Sequence, residues 1–203
     1  MTFSMERALT ALCNYCIHNH IIQEEDRAIY EYSFYILILS MFHYITCIFI
    51  MWHYQCFLLP ILFLIVYQFI RSYMGGWHAP SPWLCLVLSL LLFTFAVNIF
   101  KYHGIPQQGI YVFSGFSIVL TFWAVYHFGV QDHPNRTLNV EEKAAAKKKC
   151  FFLLVIITIL MLVSALLQRP NYMLSMALAC FFATVIHLLC QILKKGHFEH
   201  ETQ

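Results

Sequence analysis

The residues with the clearest potential for chemistry are a histidine and a cysteine, His78 and Cys85, in a short segment between two apolar runs. A histidine side chain exchanges protons near neutral pH, and a cysteine attacks as its thiolate. Within reach of each other, the two are the minimal set for nucleophilic attack on a peptide carbonyl. The segment Gly-Gly-Trp-His-Ala-Pro-Ser-Pro-Trp-Leu-Cys, residues 75–85, is therefore a candidate active site.

The prolines of this segment indicate how it folds. Pro80 and Pro82 exclude a continuous helix between His78 and Cys85, which would hold the two about 10.5 Å apart along its axis. Ser81 before Pro82 is typical of a helix N-cap and first helical residue. Cys85 then lies in the first turn of a helix, where unpaired N–H groups and the helix dipole favour a thiolate. The loop can fold back and bring the imidazole to the sulfur.

Gly75 and Gly76 open the segment, and glycine permits positive φ and close approach of another backbone. We expect them to form a turn, to admit a substrate backbone, or to lend N–H groups to an oxyanion. Gln68, Ser72 and Ser89 could orient the histidine but fit helix packing better, so no third catalytic residue is assigned. The alternative for the whole segment is a plain Gly-Pro connection with an interfacial histidine and one more apolar cysteine.

The elements that carry this segment are membrane helices. Of the 203 residues, 61% are hydrophobic and 11% charged, and the mean hydropathy is +0.67, whereas a soluble domain has about 25% charged residues. Apolar runs in lipid must form helices, because their backbone groups have no other partners. The nearly uncharged runs are 34–52, 56–70, 83–100, 110–130, 150–167 and 172–193. The sequence predicts an all-α integral membrane protein, one domain over residues 1–203 with about six transmembrane helices.

The distribution of Lys and Arg predicts the orientation of these helices. With six crossings, one side receives residues 1–30, the 71–82 loop, the 131–149 loop and the C-terminal tail, which together carry ten of the twelve Lys and Arg residues. The other side receives only Lys101 and Arg169. Because positive charge stays inside, both termini are predicted to be cytoplasmic. A re-entrant pair around residues 53–55 is left open and would not change the parity of the later loops.

The N-terminal segment, residues 1–30, has helical spacing of apolar residues. Met5, Leu9, Leu12 and Cys16 fall on or near one stripe. This predicts an amphipathic helix lying on the cytoplasmic membrane surface. The alternative is a short cytosolic cap on the first crossing helix.

The 131–149 loop is basic and ends in a helix. Asn139 followed by Glu142 predicts a capping box, and a run rich in Ala and Lys leads from it into the fifth apolar segment. Its lysines act as positive-inside anchors, or alternatively hold anionic headgroups or an acidic peptide tail.

Other kinds of site have weaker support. Cys13 and Cys16 form a C-x-x-C pair with no second pair, so a redox or zinc role is a minor alternative. The eleven histidines are scattered and show no His-Glu-x-x-His helix, so no metal and no cofactor are predicted. The net charge of +2 gives no case for nucleic-acid binding.

Residues 75–85 resemble the catalytic segment of the accessory gene regulator B (AgrB) family of membrane cysteine endopeptidases. The length, the polar N-terminal segment and the apolar runs are similar too, and Tyr126-His127-Phe128 to Asp132-His133-Pro134-Asn135-Arg136, followed by lysines, looks like the family's second cytoplasmic loop. Phe128 departs from the pattern, which has proline there.

The resemblance implies a definite reaction in a bacterial cell membrane. His78 would deprotonate Cys85, which would cleave an AgrD-like quorum-sensing propeptide and hold it as a thioester. A cysteine or serine of the substrate would then close a thiolactone or lactone ring. A second copy could complete a groove between short helices, so a homodimer is left open, and the alternative function is a noncatalytic small transporter or helper subunit.

Overall fold

The computed structural model describes residues 3–75, 81–102, 104–130 and 139–201, and side chains from residue 7 to residue 192 within these ranges. The described residues form helices and their connections. The helices are α1 (Phe3–His18), α2 (Arg27–Tyr54), α3 (Leu58–Met74), α4 (Pro82–Tyr102), α5 (Gln107–Phe128), α6 (Val140–Leu166) and α7 (Pro170–Glu201), and one 3₁₀ turn, Glu24–Asp26, precedes α2.

The apolar runs of the sequence correspond one by one to α2 through α7. Within the described ranges, five of these helices are long and apolar enough to cross a membrane, namely α2, α4, α5, α6 and α7. The sixth, α3, is also apolar but has only 17 residues. The prediction of an all-α, multi-pass membrane protein is therefore confirmed, and the orientation of the termini stays a prediction.

Two of the helix connections are tight because the chain turns through a left-handed residue. At the end of α2, Gln55 has φ 51°, and the N–H groups of Gln55 and Cys56 donate to the carbonyls of Trp52 and Met51 at 3.0 and 3.1 Å. This is the Schellman pattern of bonds. Gln168, with φ 53°, ends α6 in the same way. In each case the next helix begins within a few residues.

The start of α6 agrees with the sequence prediction. Asn139 is the N-cap, and both halves of the capping box with Glu142 are present. The N–H of Asn139 donates to the Glu142 carboxylate at 3.0 Å. Two N–H groups that the helix itself cannot satisfy are thereby paired.

The chain divides into two compact units. The first contains α1, α2 up to Ile50 and the start of α4 up to Leu91. The second contains the rest of α2 and α4 together with α3, α5, α6 and α7. The candidate cysteine belongs to the first unit.

In the second unit, α7 is the central helix and packs against α3, α5 and α6. Where α7 meets α5, Thr121 of α5 contacts Cys180 and Thr184 of α7, and all three residues are fully buried. Small side chains let two membrane helices approach closely, and hydroxyls add hydrogen bonds. The Thr184 hydroxyl donates to that of Thr121 at 2.9 Å, which ties the centres of the two helices together.

The ends of α2 and α4 in the second unit are joined by polar contacts. Asn98 donates from Nδ2 to the Tyr54 hydroxyl at 2.9 Å, and the Lys101 ammonium donates to the Tyr54 carbonyl. That carbonyl is one of the last in α2 and has no acceptor role within the helix. Lys101 therefore caps α2 from a neighbouring helix.

Candidate active site

Cys85 lies in the first turn of α4, as its sequence context predicts. The helix begins at Pro82, and the Cys85 N–H donates to the Ser81 carbonyl at 3.1 Å. This is the first hydrogen bond of the helix, so the N–H groups of Trp83 and Leu84 have no acceptor within it. The Cys85 side chain is half-buried. A thiol at this position is accessible and lies at the positive end of the helix dipole.

The first two turns of α4 are held by an apolar cluster. Leu86, directly after Cys85, is 8% exposed and packs with Leu9 of α1 and with Tyr35 and Leu39 of α2. Partly buried Phe34, Ile36 and Leu90 surround this cluster. The helices α1, α2 and α4 thus meet beside the cysteine.

The N-terminal helix predicted within residues 1–30 is present as α1, and one of its faces packs against protein. Leu9 and Cys13 are buried at 3% and 0% exposure, whereas Leu12 is 42% exposed. Cys16 is half-buried. Residues four apart share a helix face, and the protein covers the face of Leu9 and Cys13. The sequence shows which residues are apolar, but not which of them meet another helix.

A polar network fastens α1 to the start of α2. The Arg27 guanidinium donates from Nη2 to Asn14 Oδ1 at 2.8 Å, from Nη1 to Glu24 Oε1 at 2.9 Å and from Nε to Glu31 Oε1 at 3.3 Å. Asn14 belongs to α1, and the two carboxylates fix the direction of the guanidinium. Arg27, counted in the sequence only as a topology signal, is therefore also a link between helices.

Cys13, the first cysteine of the C-x-x-C pair, is a buried residue of the α1 packing face. Burial raises the pKa of the Cys13 thiol, and the nearby Glu31 carboxylate raises it further. A thiol with a raised pKa carries less of the reactive thiolate. All eight cysteines are free, and within the described ranges no cluster of three or more potential metal ligands occurs.

Gly75 ends α3 in a conformation suited to glycine. Its φ is 66° and its ψ −168°, a region that side chains with a Cβ rarely adopt. The Gly75 N–H donates to the Arg71 carbonyl at 3.0 Å. This N–H is thus used in the cap of α3, which favours the turn role for Gly75 over the oxyanion role. Gly76 and His78 lie outside the described residues, as do residues 131–138 of the basic loop.

Ser72, Gln68 and Ser89 were considered as a third catalytic residue, and the structure shows their surroundings. The Ser72 hydroxyl donates to the Gln68 carbonyl at 2.7 Å, and the Gln68 side chain is exposed. Ser89 lies one turn after Cys85 and is half-buried.

Near the end of α3, Arg71 donates to the Tyr67 hydroxyl at 2.7 Å and lies 5.8 Å from the centre of its ring. Tyr67 and Arg71 are four residues apart in α3, and this spacing places two side chains next to each other on a helix.

Comparison with protein-family models gives a match over residues 9–192 to the family described as Accessory gene regulator B. The match includes residues 75–85 and all of α2 through α6. Comparisons with curated proteins and with solved structures gave no match. The chain therefore belongs to the accessory gene regulator B (AgrB) family and has a role in the agr quorum-sensing system.

Proposed function

We propose that this protein is a membrane cysteine endopeptidase that removes the C-terminal tail of an AgrD-type propeptide and closes the remaining peptide into a ring. The observation that carries the proposal is the position of Cys85, half-buried in the first turn of α4 behind Ser81 and Pro82. A helix N-terminus favours negative charge, and a thiolate is the nucleophile needed for attack on a peptide bond.

In the first step, His78 accepts the thiol proton and the Cys85 sulfur attacks the carbonyl carbon of the scissile peptide bond. The tetrahedral intermediate collapses with cleavage of the C–N bond. The imidazolium returns the proton to the leaving amine, and the tail departs with a free amino group. The N-terminal part of the propeptide stays on Cys85 as a thioester, which is ordinary covalent catalysis.

In the second step, a cysteine or serine side chain of the bound peptide attacks the thioester carbonyl. Its proton passes through His78 to the departing Cys85 sulfur. The product is a thiolactone or lactone, and the enzyme is regenerated without any oxidant or cofactor. Water in place of the side chain would give a linear acid, so the ring requires that the peptide thiol or hydroxyl reach the thioester first.

The experiment is co-expression with AgrD-type propeptides and measurement of intact peptide masses. Cys85→Ala and His78→Ala are the test variants, and Cys85→Ser tests whether a hydroxyl can replace the thiol. Matched controls are Cys56→Ala, which removes another half-buried cysteine, and His53→Ala, which removes an exposed histidine of α2. Membrane levels of every variant are compared by immunoblot.

The proposal expects tail removal with the unchanged protein and with both controls, and none with Cys85→Ala or His78→Ala. It also expects a peptide–enzyme adduct that hydroxylamine releases, since thioesters are cleaved by this nucleophile. Tail removal that survives Cys85→Ala would eliminate the cysteine mechanism and favour a helper or transport role.

A further inference from the structure

We infer that Leu9 of α1 is a positioning residue for the Cys85 thiol, so that the N-terminal helix contributes to catalysis. The inference rests on the proposed function for its enzymatic consequence. Its structural basis is the cluster in which Leu9, Tyr35, Leu39 and Leu86 are buried together. Leu86 is the chain neighbour of Cys85.

The packing of Leu86 sets the direction of the cysteine side chain. Successive residues of an α-helix are rotated by about 100°, so a fixed Leu86 fixes the direction in which Cys85 leaves the helix. Leu90, one turn further along, packs against the same cluster. Two contacts one turn apart prevent the start of α4 from rolling about its axis.

Leu9 is the residue that α1 contributes to this cluster, and it is 3% exposed. The same helix is held further along by Asn14, which accepts a hydrogen bond of 2.8 Å from Arg27. With one apolar and one polar attachment, α1 is fixed against α2 in both rotation and translation. A helix that was bound only to the lipid surface would make neither of these contacts with α2.

Removing Leu9 should therefore move the thiol without touching it. A cavity at Leu9 lets Leu86 shift, and displacement of a reacting group by about 1 Å can cost roughly a hundredfold in rate. Because the substrate would still bind, the loss should fall on kcat and leave KM nearly unchanged. A residue needed only for insertion would instead change the amount of protein in the membrane.

The experiment uses the full chain in lipid nanodiscs with a synthetic AgrD-type propeptide. The variants are Leu9→Ala, the milder Leu9→Val and the volume-conserving Leu9→Met. The matched control is Leu12→Ala, which removes the same side chain from the same helix at a position that is 42% exposed. Two readouts are taken on each: kcat and KM for tail removal, and the rate of Cys85 alkylation by iodoacetamide against pH, followed by mass spectrometry of the Cys85 peptide.

We expect Leu9→Ala to lower kcat by roughly tenfold or more and to change the pH profile of Cys85 alkylation, with Leu9→Val intermediate. Leu9→Met conserves the side-chain volume and should leave kcat and the alkylation profile unchanged. Leu12→Ala should also match the unchanged protein in both readouts. Equal effects of Leu9→Ala and Leu12→Ala would overturn the inference. So would a fall in kcat with an unchanged alkylation profile, because the thiol would then not have moved.

The two proposals fail in different ways. If the protein does not use Cys85 for catalysis, Cys85→Ala keeps its activity, while the alkylation profile of Cys85 still reports whether Leu9 positions the thiol. If Leu9→Ala does not accumulate in the membrane, Leu9→Val and Leu9→Met carry the same comparison. An alkylation profile that is identical in all Leu9 variants contradicts the positioning role whatever the enzyme does.

Discussion

The ammonium of Lys147 donates a hydrogen bond of 2.9 Å to the backbone carbonyl of Tyr126. That carbonyl is in the last turn of α5, where helix carbonyls lack a partner within the helix, and the Lys147 Nζ also lies 5.3 Å from the centre of the Tyr126 ring. Lys147 therefore caps α5 from α6, whereas its neighbours Lys148 and Lys149 are exposed. Lys147 thus has a structural contact, whereas the exposed Lys148 and Lys149 are available to lipid headgroups.

Lys147→Met should destabilise the protein, because it keeps the apolar stem but leaves the Tyr126 carbonyl without its donor. We expect a loss of about 1 kcal/mol, seen as a lower midpoint of thermal unfolding in nanodiscs. Lys148→Met is the matched control and should leave the midpoint unchanged. Equal shifts for the two variants would show that general charge, not the cap of α5, determines stability here.

Gly75→Ala should destabilise the end of α3. The residue has φ 66° and ψ −168°, and a side chain held in such a region costs about 1–3 kcal/mol. Gly115→Ala is the control, because Gly115 is inside α5 and an added Cβ there meets nothing within 4 Å. Gly115→Ala should raise the thermal midpoint by removing a flexible residue from a helix. A Gly75→Ala protein as stable as the unchanged one would mean that the α3 cap is adaptable.

Cys13 should react with iodoacetamide more slowly than Cys16 near neutral pH. Burial and the Glu31 carboxylate raise the pKa of the Cys13 thiol, so its thiolate fraction is small at neutral pH and grows only as the pH rises. Glu31→Gln removes the charge that raises this pKa and should speed Cys13 alkylation at fixed pH, as measured by mass spectrometry of the two cysteine peptides. Equal labelling of both cysteines at neutral pH would contradict the packing of α1 on α2.

Thr184→Val should weaken the contact between α5 and α7. The substitution removes the hydroxyl that donates to Thr121 at 2.9 Å, and hydrogen bonds between membrane helices are worth about 0.6 kcal/mol on average. Thr158→Val is the control, since the Thr158 hydroxyl donates to Leu154 of its own helix at 2.7 Å. The thermal midpoint should fall for Thr184→Val and stay near its original value for Thr158→Val. Equal midpoints in the two variants would argue against an interhelical role for the hydroxyl pair.

Local signals in the sequence predicted the helices and two of their ends. Ser81 and Pro82 start α4 where the sequence predicts, and Asn139 and Glu142 form the predicted capping box. These features depend on residues within a few positions of one another, because the groups to be satisfied are those of the first helical turn. The short run 56–70 also folds as the short helix α3.

Contacts between distant residues could not be predicted in this way. The apolar spacing of the N-terminal helix does not show that Leu9 and Cys13 are the residues that the protein buries. The oxyanion role considered for the Gly75 N–H conflicts with its hydrogen bond to Arg71. An apolar pattern in the sequence does not distinguish a helix face that meets lipid from a face that meets protein.

Inspection of the sequence was enough to predict that this protein spans a membrane, which segments form its helices and where the candidate nucleophile lies in its helix. Each of these follows from hydropathy or from short-range patterns, which act on the backbone before any helix meets another. The packing of the helices was needed to show that α7 is the central helix of its unit, that Lys147 caps α5 and that Leu9 packs beside Leu86. Those outcomes depend on shape complementarity between surfaces of similar apolarity, and such complementarity appears only when the folded helices pack together.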